Sequence, residues 1–146
     1  IVLVGIDRKM LDDRLAEEGA QAVGDKFITV KRTADTGQLA ELYSAATAFV
    51  NPTWQDNYPT VNLEAISCGT PVVTYRTGGS VEAISEDTGI IVEQGDTEGI
   101  ISAVRKIESL GRYCFRENCR SRAVANFRKE DRYAEYIELY DRLLSR

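Results

Sequence analysis

Two carboxylates, Asp56 and Glu64, frame the stretch "DNYPTVNLE", with a Pro-Thr step between them, and a glycine pair, Gly78-Gly79, follows the next apolar run. Pro59 pushes Tyr58 out of the α region, and Thr60 is a good helix cap. The first turn, Val61, Asn62 and Leu63, then presents free backbone N–H groups and the positive end of the helix dipole, an anion site suited to a phosphate. Glu64, about one turn in, would repel that phosphate, so its use must lie elsewhere, in accepting hydrogen bonds from hydroxyls such as a ribose diol. Asp56, just before the turn, can receive hydroxyls on the other side. A ligand with hydroxyls at both ends and phosphate in the middle fits this layout.

Each residue also has a plainer use. An acid near a helix N-terminus stabilises the helix by about 0.3–1 kcal/mol with no ligand present. Asp56 can be a turn residue, and Thr60 is primarily a cap. Gly78-Gly79 permits close backbone approach or positive φ, but glycine pairs also mark ordinary turns. Trp54 and Tyr58 can stack on a sugar or base, or be buried under their loop. Lys31 and Arg32 would border the same crevice; on a surface such a pair is ordinarily solvated.

The elements that must position these residues alternate between strand and helix. "IVLVGI" (Ile1–Ile6) is a continuous apolar run of buried-strand type, followed by a helix after Asp7 with Met10, Leu11, Leu15 and Ala16 on one face. "KFITVKR" (Lys26–Arg32) alternates as a strand. Asp35 caps the next helix, with Gln38 three residues on and Leu39, Leu42 and Tyr43 on one face. "TAFVNP" (Thr47–Pro52) is a third strand, stopped by Pro52. A helix from about Val61 to Cys68 ends at Gly69, with Pro71 beyond it. Val72–Tyr75 and Gly89–Glu93 are the fourth and fifth strands. Asp96 then caps an amphipathic helix with Ile100, Ile101, Val104 and Ile107 inward and Gly111 at its end. The remainder is helical, with Phe127, Tyr133, Tyr136 and Tyr140 along it. This alternation predicts an α/β fold, a Rossmann-like parallel sheet flanked by helices, in one unit over residues 1–146. In such a sheet the ligand lies at the carboxyl ends of the strands, where "NPTWQDNYPT" and "RTGGS" both emerge.

Composition narrows the field. An apolar fraction of 43% and a charged fraction of 28% suit a soluble globular domain. A net charge of −5 argues against nucleic acid as the partner. With no histidine, His-based triads and H-E-x-x-H zinc sites are excluded within this chain. Three cysteines, Cys68, Cys114 and Cys119, fit no metal-ligand spacing and predict free thiols in a cytoplasmic setting. An opening inside a strand without Met predicts a piece of something longer. From Gly111 onward, nine Lys and Arg stand against six Asp and Glu. The arginines there, Arg112, Arg116, Arg120, Arg122, Arg128 and Arg132, predict a solvated face, or at most weak association with an anionic membrane surface.

Taken together, the stretch resembles the donor-binding half of the retaining GT-B glycosyltransferases of family 4. The motif appears as Asp56-x7-Glu64-Ala65, then Cys68-Gly69-Thr70-Pro71-Val72-Val73, then Gly78-Gly79-Ser80-Val81-Glu82. The flanks "QLAELYSAATAFVNPT" and "TGIIVEQGDTEGIISAV" are similar to the family as well. The resemblance implies that Glu64 holds the ribose hydroxyls of a nucleotide sugar, and that Asp56 stands at the catalytic acid position near the donor sugar, where the family usually has Glu. Asn57, Tyr58, Pro59, Thr60 and Val61 replace the usual Gly-Phe-Gly-Leu-Val that touches sugar and diphosphate. Pro59 thereby deletes one amide donor, and Thr60 offers a hydroxyl. Thr77 and Gly78 join the donor-contacting positions, and Lys31 and Arg32 fall near the nucleotide-base edge. It further implies no divalent metal and no cofactor beyond the nucleotide-diphosphate sugar. The implied partner is an N-terminal acceptor domain of the same enzyme, absent from this chain, and the implied role lies in polysaccharide biosynthesis. The Arg and Lys that neutralise the departing diphosphate in the family are expected to lie upstream of this chain, as is that domain, so this chain alone is expected to transfer no sugar. The rival reading is a non-catalytic nucleotide- or phosphosugar-binding module. A receiver-type signalling domain finds no support, because no strand ends in the paired acids it needs.

Overall fold

In the computed structural model, which describes residues 1–145, the chain forms two compact units, Ile1–Leu39 and Ala40–Arg146. In the first, strand β1 (Val2–Val4) pairs in parallel with β2 (Ile28–Val30), Leu3 opposite Thr29. Helix α1 (Arg8–Glu17) starts where Asp7 Oδ1 accepts from the Met10 amide at 3.0 Å. A 3-10 helix, Gln21–Lys26, follows it. Of the four residues expected on the inner face of α1, Leu11 is buried while Met10 is 55% exposed. The apolar run that opens the chain makes a strand, but not a buried one, since Val2 and Val4 are each 48% exposed.

Helix α2 (Thr36–Ala45) carries the chain from the first unit into the second. Its start is a reciprocal cap: the Gln38 amide donates to Asp35 Oδ1 at 2.8 Å, and Gln38 Oε1 accepts from the Ala34 amide at 2.7 Å. The second unit holds a three-stranded parallel sheet in the order β3 (Phe49–Asn51), β4 (Val72–Tyr75), β5 (Gly89–Val92). Asn51 stands opposite Thr74 and Val73 opposite Ile90. All four β4 residues are buried, as expected of a strand with neighbours on both edges. The β3–β4 crossover is helix α3 (Thr60–Ser67), whose Ala65 and Ile66 are fully buried.

Helix α4 (Thr97–Leu110) packs on β4 and β5. Asp96 Oδ1 caps it by accepting from the Gly99 amide at 2.8 Å, and Gly111 at φ 79° ends it, as the sequence predicts. Ala103 and Ile107 form its buried stripe; Ile101, expected inward, is 36% exposed. Helix α5 (Tyr113–Asn126) packs on α3, and its buried residues are Phe115, Cys119 and Ala123. Helix α6 (Lys129–Leu144) buries none of its residues and leaves Tyr133, Tyr136, Ile137 and Tyr140 exposed. Among the described residues no helix is long and apolar enough to cross a membrane.

Candidate functional site

The loops leaving β3 and β4 meet at the carboxyl edge of the sheet. Thr77 Oγ1 donates to the Thr53 carbonyl at 3.1 Å, and the Gly79 amide donates to the Asp56 carbonyl at 3.3 Å. Within the β3 loop, Asp56 Oδ1 accepts from the Tyr58 amide at 3.0 Å, so the acid folds its own turn. One oxygen of this half-buried residue is engaged there. The turn delivers Pro59, buried and extended at φ −69° and ψ 106°, as the N-cap of α3.

That arrangement corrects the expected cap. Thr60 is the first helical residue rather than the cap, and no side chain caps the helix. Pro59 occupies the cap position because its fixed φ suits it and its carbonyl accepts from the Asn62 amide at 3.1 Å. Thr60 and Val61 are exposed at the helix start, their backbone aligned with the positive end of the dipole.

The glycine pair shows both properties expected of it, and the structure adds what is approached. Gly78 does adopt positive φ, 43°, but the close backbone approach is to the chain itself. A Cβ at Gly78 would overlap the Asp56 carbonyl, and one at Gly79 would overlap the Asn57 carbonyl. The pair lets the β4 loop, which opens the 3-10 helix Gly78–Val81, press against the Asp56–Asn57 turn.

Beneath the loops runs a polar chain that the sequence reading missed. Asn51 Nδ2 donates to Asn62 Oδ1 at 2.9 Å, Asn62 Nδ2 donates to the Ser80 carbonyl at 3.4 Å, and Thr74 Oγ1 donates to the Asn51 carbonyl at 2.9 Å. Asn62, Thr74 and Ser80 are fully buried. The chain thus ties the ends of β3 and β4, the first turn of α3 and the glycine loop into one frame. A signal existed: Asn62 begins the stripe Asn62–Ala65–Ile66, a polar residue where an apolar one is expected.

Glu64 lies one turn into α3, exposed, with Oε2 accepting from the Tyr43 hydroxyl at 3.2 Å. Tyr58 sits at the other side of the loop, 38% exposed, its phenol held above its ordinary value by burial and by the charge of Glu82. Trp54 is 64% exposed, edge-on to Tyr75 at 6.1 Å, with its carbonyl accepting from Gln94 Nε2 at 2.8 Å. Asp56, Asn57, Tyr58, Pro59, Thr60, Val61, Glu64, Thr77 and Gly78 therefore all belong to the second unit. Lys31 and Arg32 belong to the first, where Lys31 Nζ pairs with Asp7 Oδ2 at 3.0 Å.

The basic segment is only partly a solvated face. Arg112 donates to the Ser44 carbonyl at 2.6 Å, Arg120 to the Ser67 carbonyl at 3.0 Å, and Arg122 to the Ala83 carbonyl at 2.7 Å. Two of these acceptors close helix C-termini, where a cation is favoured. Arg128 and Arg132 pair with Asp131 and Glu135. The surface depression of about 430 Å³ beside Arg120 and Phe127 lies at the C-terminal end of α3 and shares no residue with the loops above.

Parallel sheets flanked by helices define the class, a Rossmann-like α/β fold, which the likeness to solved structures below identifies as that of GT-B glycosyltransferases. Residues 1–109 match the model of the glycosyl transferases group 1, and the chain belongs to that family. It is 27% identical over 111 residues to the D-inositol 3-phosphate glycosyltransferase of Segniliparus rotundus, covering 67% of this chain and 25% of that protein. To a sulfoquinovosyl transferase of Arabidopsis thaliana it is 31% identical over 116 residues, covering 68% of this chain and 23% of that one. The chain thus spans about a quarter of the length of these relatives. Among solved structures, the sucrose-phosphate synthase of Thermosynechococcus elongatus superposes with a TM-score of 0.84 at 30% identity, over 99% of this chain and 38% of that one. Anabaena HepE in complex with UDP superposes at 0.81 with 19% identity, over 96% of this chain and 40% of that one, a likeness of fold.

Proposed function

We propose that this chain is the donor-binding part of a retaining glycosyltransferase, holding a nucleotide-diphosphate sugar from which a hexosyl group passes to a glycan or lipid-linked acceptor. The observation that carries the reading is the start of α3: a helix N-terminus with no side-chain cap, between the Asp56 turn and a carboxylate held one turn in. The diphosphate lies against the exposed amides of Thr60 and Val61, and the Thr60 hydroxyl adds a donor where Pro59 has none. Glu64 accepts from the ribose hydroxyls, and Asp56 accepts from the sugar. The Anabaena HepE structures, solved with UDP and with UDP-glucose, support a nucleotide sugar as the ligand class.

Transfer in the full enzyme rests on positioning and on charge stabilisation of the departing diphosphate while the acceptor hydroxyl attacks the face it leaves. The cations for that step come from outside the loops of the candidate site. Titration of UDP-, GDP- and ADP-sugars tests the reading. At least one binds saturably, and Glu64→Gln weakens it by about 1.5–3 kcal/mol, the range for hydrogen bonds to a charged group, with the melting temperature unchanged. No binding across the panel, or unchanged affinity beside a clear loss of stability, overturns it.

A further inference from the structure

The second partner in the Glu64 contact is Tyr43, a residue that the sequence marks only as part of an apolar helix face. Tyr43 is 9% exposed, and its ring packs edge-on against Phe49 at 5.2 Å. Its backbone is fixed as firmly: its carbonyl accepts from Thr70 Oγ1 at 2.6 Å, and the adjacent Ser44 carbonyl accepts from Arg112 Nη1 at 2.6 Å. The hydroxyl leaves this packed setting to donate to Glu64 Oε2, its one hydrogen bond among the described residues. A phenylalanine would fill the same space with no hydroxyl to satisfy.

We propose that Tyr43 is a positioning residue for the donor site: it holds the Glu64 carboxylate in one rotamer, aimed at the ribose hydroxyls, before the nucleotide sugar arrives. The inference rests on the function proposed above. Glu64 is exposed, and a free glutamate there would lose rotamer freedom on binding; the Tyr43 hydroxyl removes part of that loss in advance. An ionised carboxylate offers about four lone-pair sites, so one bond from Tyr43 leaves room for a diol. Burial, then the charge of Glu64, pushes the Tyr43 phenol above its ordinary value, which keeps it a donor throughout the physiological range.

The experiment measures binding of UDP, GDP and ADP and of their 2′,3′-dideoxy counterparts to the protein, with Tyr43→Phe, Glu64→Gln, Glu64→Asp and the double variant Tyr43→Phe/Glu64→Gln. Thermal melts run in parallel. Tyr43→Phe keeps the ring and is expected to weaken the bound ribonucleotide about three- to tenfold, the scale of one hydrogen bond. The loss vanishes with the dideoxy ligand and in the Glu64→Gln background. Glu64→Asp keeps the charge but withdraws it from Tyr43, and weakens the ribonucleotide as well. If Glu64→Gln lowers affinity while Tyr43→Phe does not, the role of Tyr43 is refuted and the donor site stands. An equal loss for ribo- and dideoxynucleotides in Tyr43→Phe also refutes it, since that is the signature of a general packing defect. If Glu64→Gln leaves affinity unchanged, the donor-site reading itself falls, and the role of Tyr43 with it.

Discussion

Val72 and Val73 in the second unit are completely buried, while Val2 and Val4 in the first are each 48% exposed. Both pairs sit in short parallel strands drawn from unbroken apolar runs. The difference lies in what the rest of each unit supplies. β4 has a strand on either edge and α3 and α4 packed on it, whereas β1 has the single neighbour β2. An apolar run therefore states a demand for burial; whether it is met depends on elements far along the chain.

Cavity formation tests this contrast most strongly. Ile66→Ala removes a fully buried side chain of α3 and is expected to cost about 2–5 kcal/mol. Val4→Ala should stay within about 0.5 kcal/mol, as for a surface substitution. Urea denaturation measures both, and a comparable loss at Val4 would break the comparison by showing β1 covered in solution.

Glycine gives a second contrast. Gly79→Ala drives a methyl group into the Asn57 carbonyl and should cost about 1–3 kcal/mol, as overpacking does. Gly37→Ala, in the first unit, meets only the end of the Asp35 side chain and should change stability by less than about 0.5 kcal/mol. Equal melting temperatures for the two variants would mean that the glycine clasp yields more easily than its contacts suggest.

The smallest effect is electrostatic and confined to the first unit. The Asp7 carboxyl is held below its ordinary 3.8 by the Met10 amide and then by Lys31. Its folded-state value is depressed, so its contribution is present above the ordinary value and fades as pH falls through the folded one. Asp7→Asn removes that dependence. Melting temperatures of the two proteins should differ at neutral pH and draw together as pH falls through the depressed folded value; a constant offset across the range would mean that neither the Met10 amide nor Lys31 lowers the Asp7 carboxyl.

Local chemistry made the helices legible. Asp35 with Gln38, Asp96 and Gly111 act as the caps and stops their types and spacing imply, and the strand–helix alternation gives parallel sheets. The loops of the candidate site were legible as a cluster, because both leave strands at the same edge. What they do to one another was not. The contact that requires Gly78-Gly79 is with Asp56 and Asn57, distant in sequence, and local glycine chemistry cannot distinguish a close approach to a ligand from one to the chain. The same holds for Arg112, Arg120 and Arg122, whose acceptors are carbonyls on other elements. Tyr43 and Asn62 each belong to a buried helix face, and only the packed structure shows where their polar atoms go.

The three free thiols of the second unit give it a built-in kinetic clock. Cys114 is exposed, Cys68 half-buried, and Cys119 fully buried against the Thr88 carbonyl, with burial pushing its thiol up to about 12. An alkylating reagent near neutral pH therefore reaches exposed Cys114 first, and Cys119 only in those moments when the packing around α5 opens. The lag between the two, read by mass spectrometry on the unaltered protein, times the opening around the helix whose Arg120 closes the C-terminus of α3.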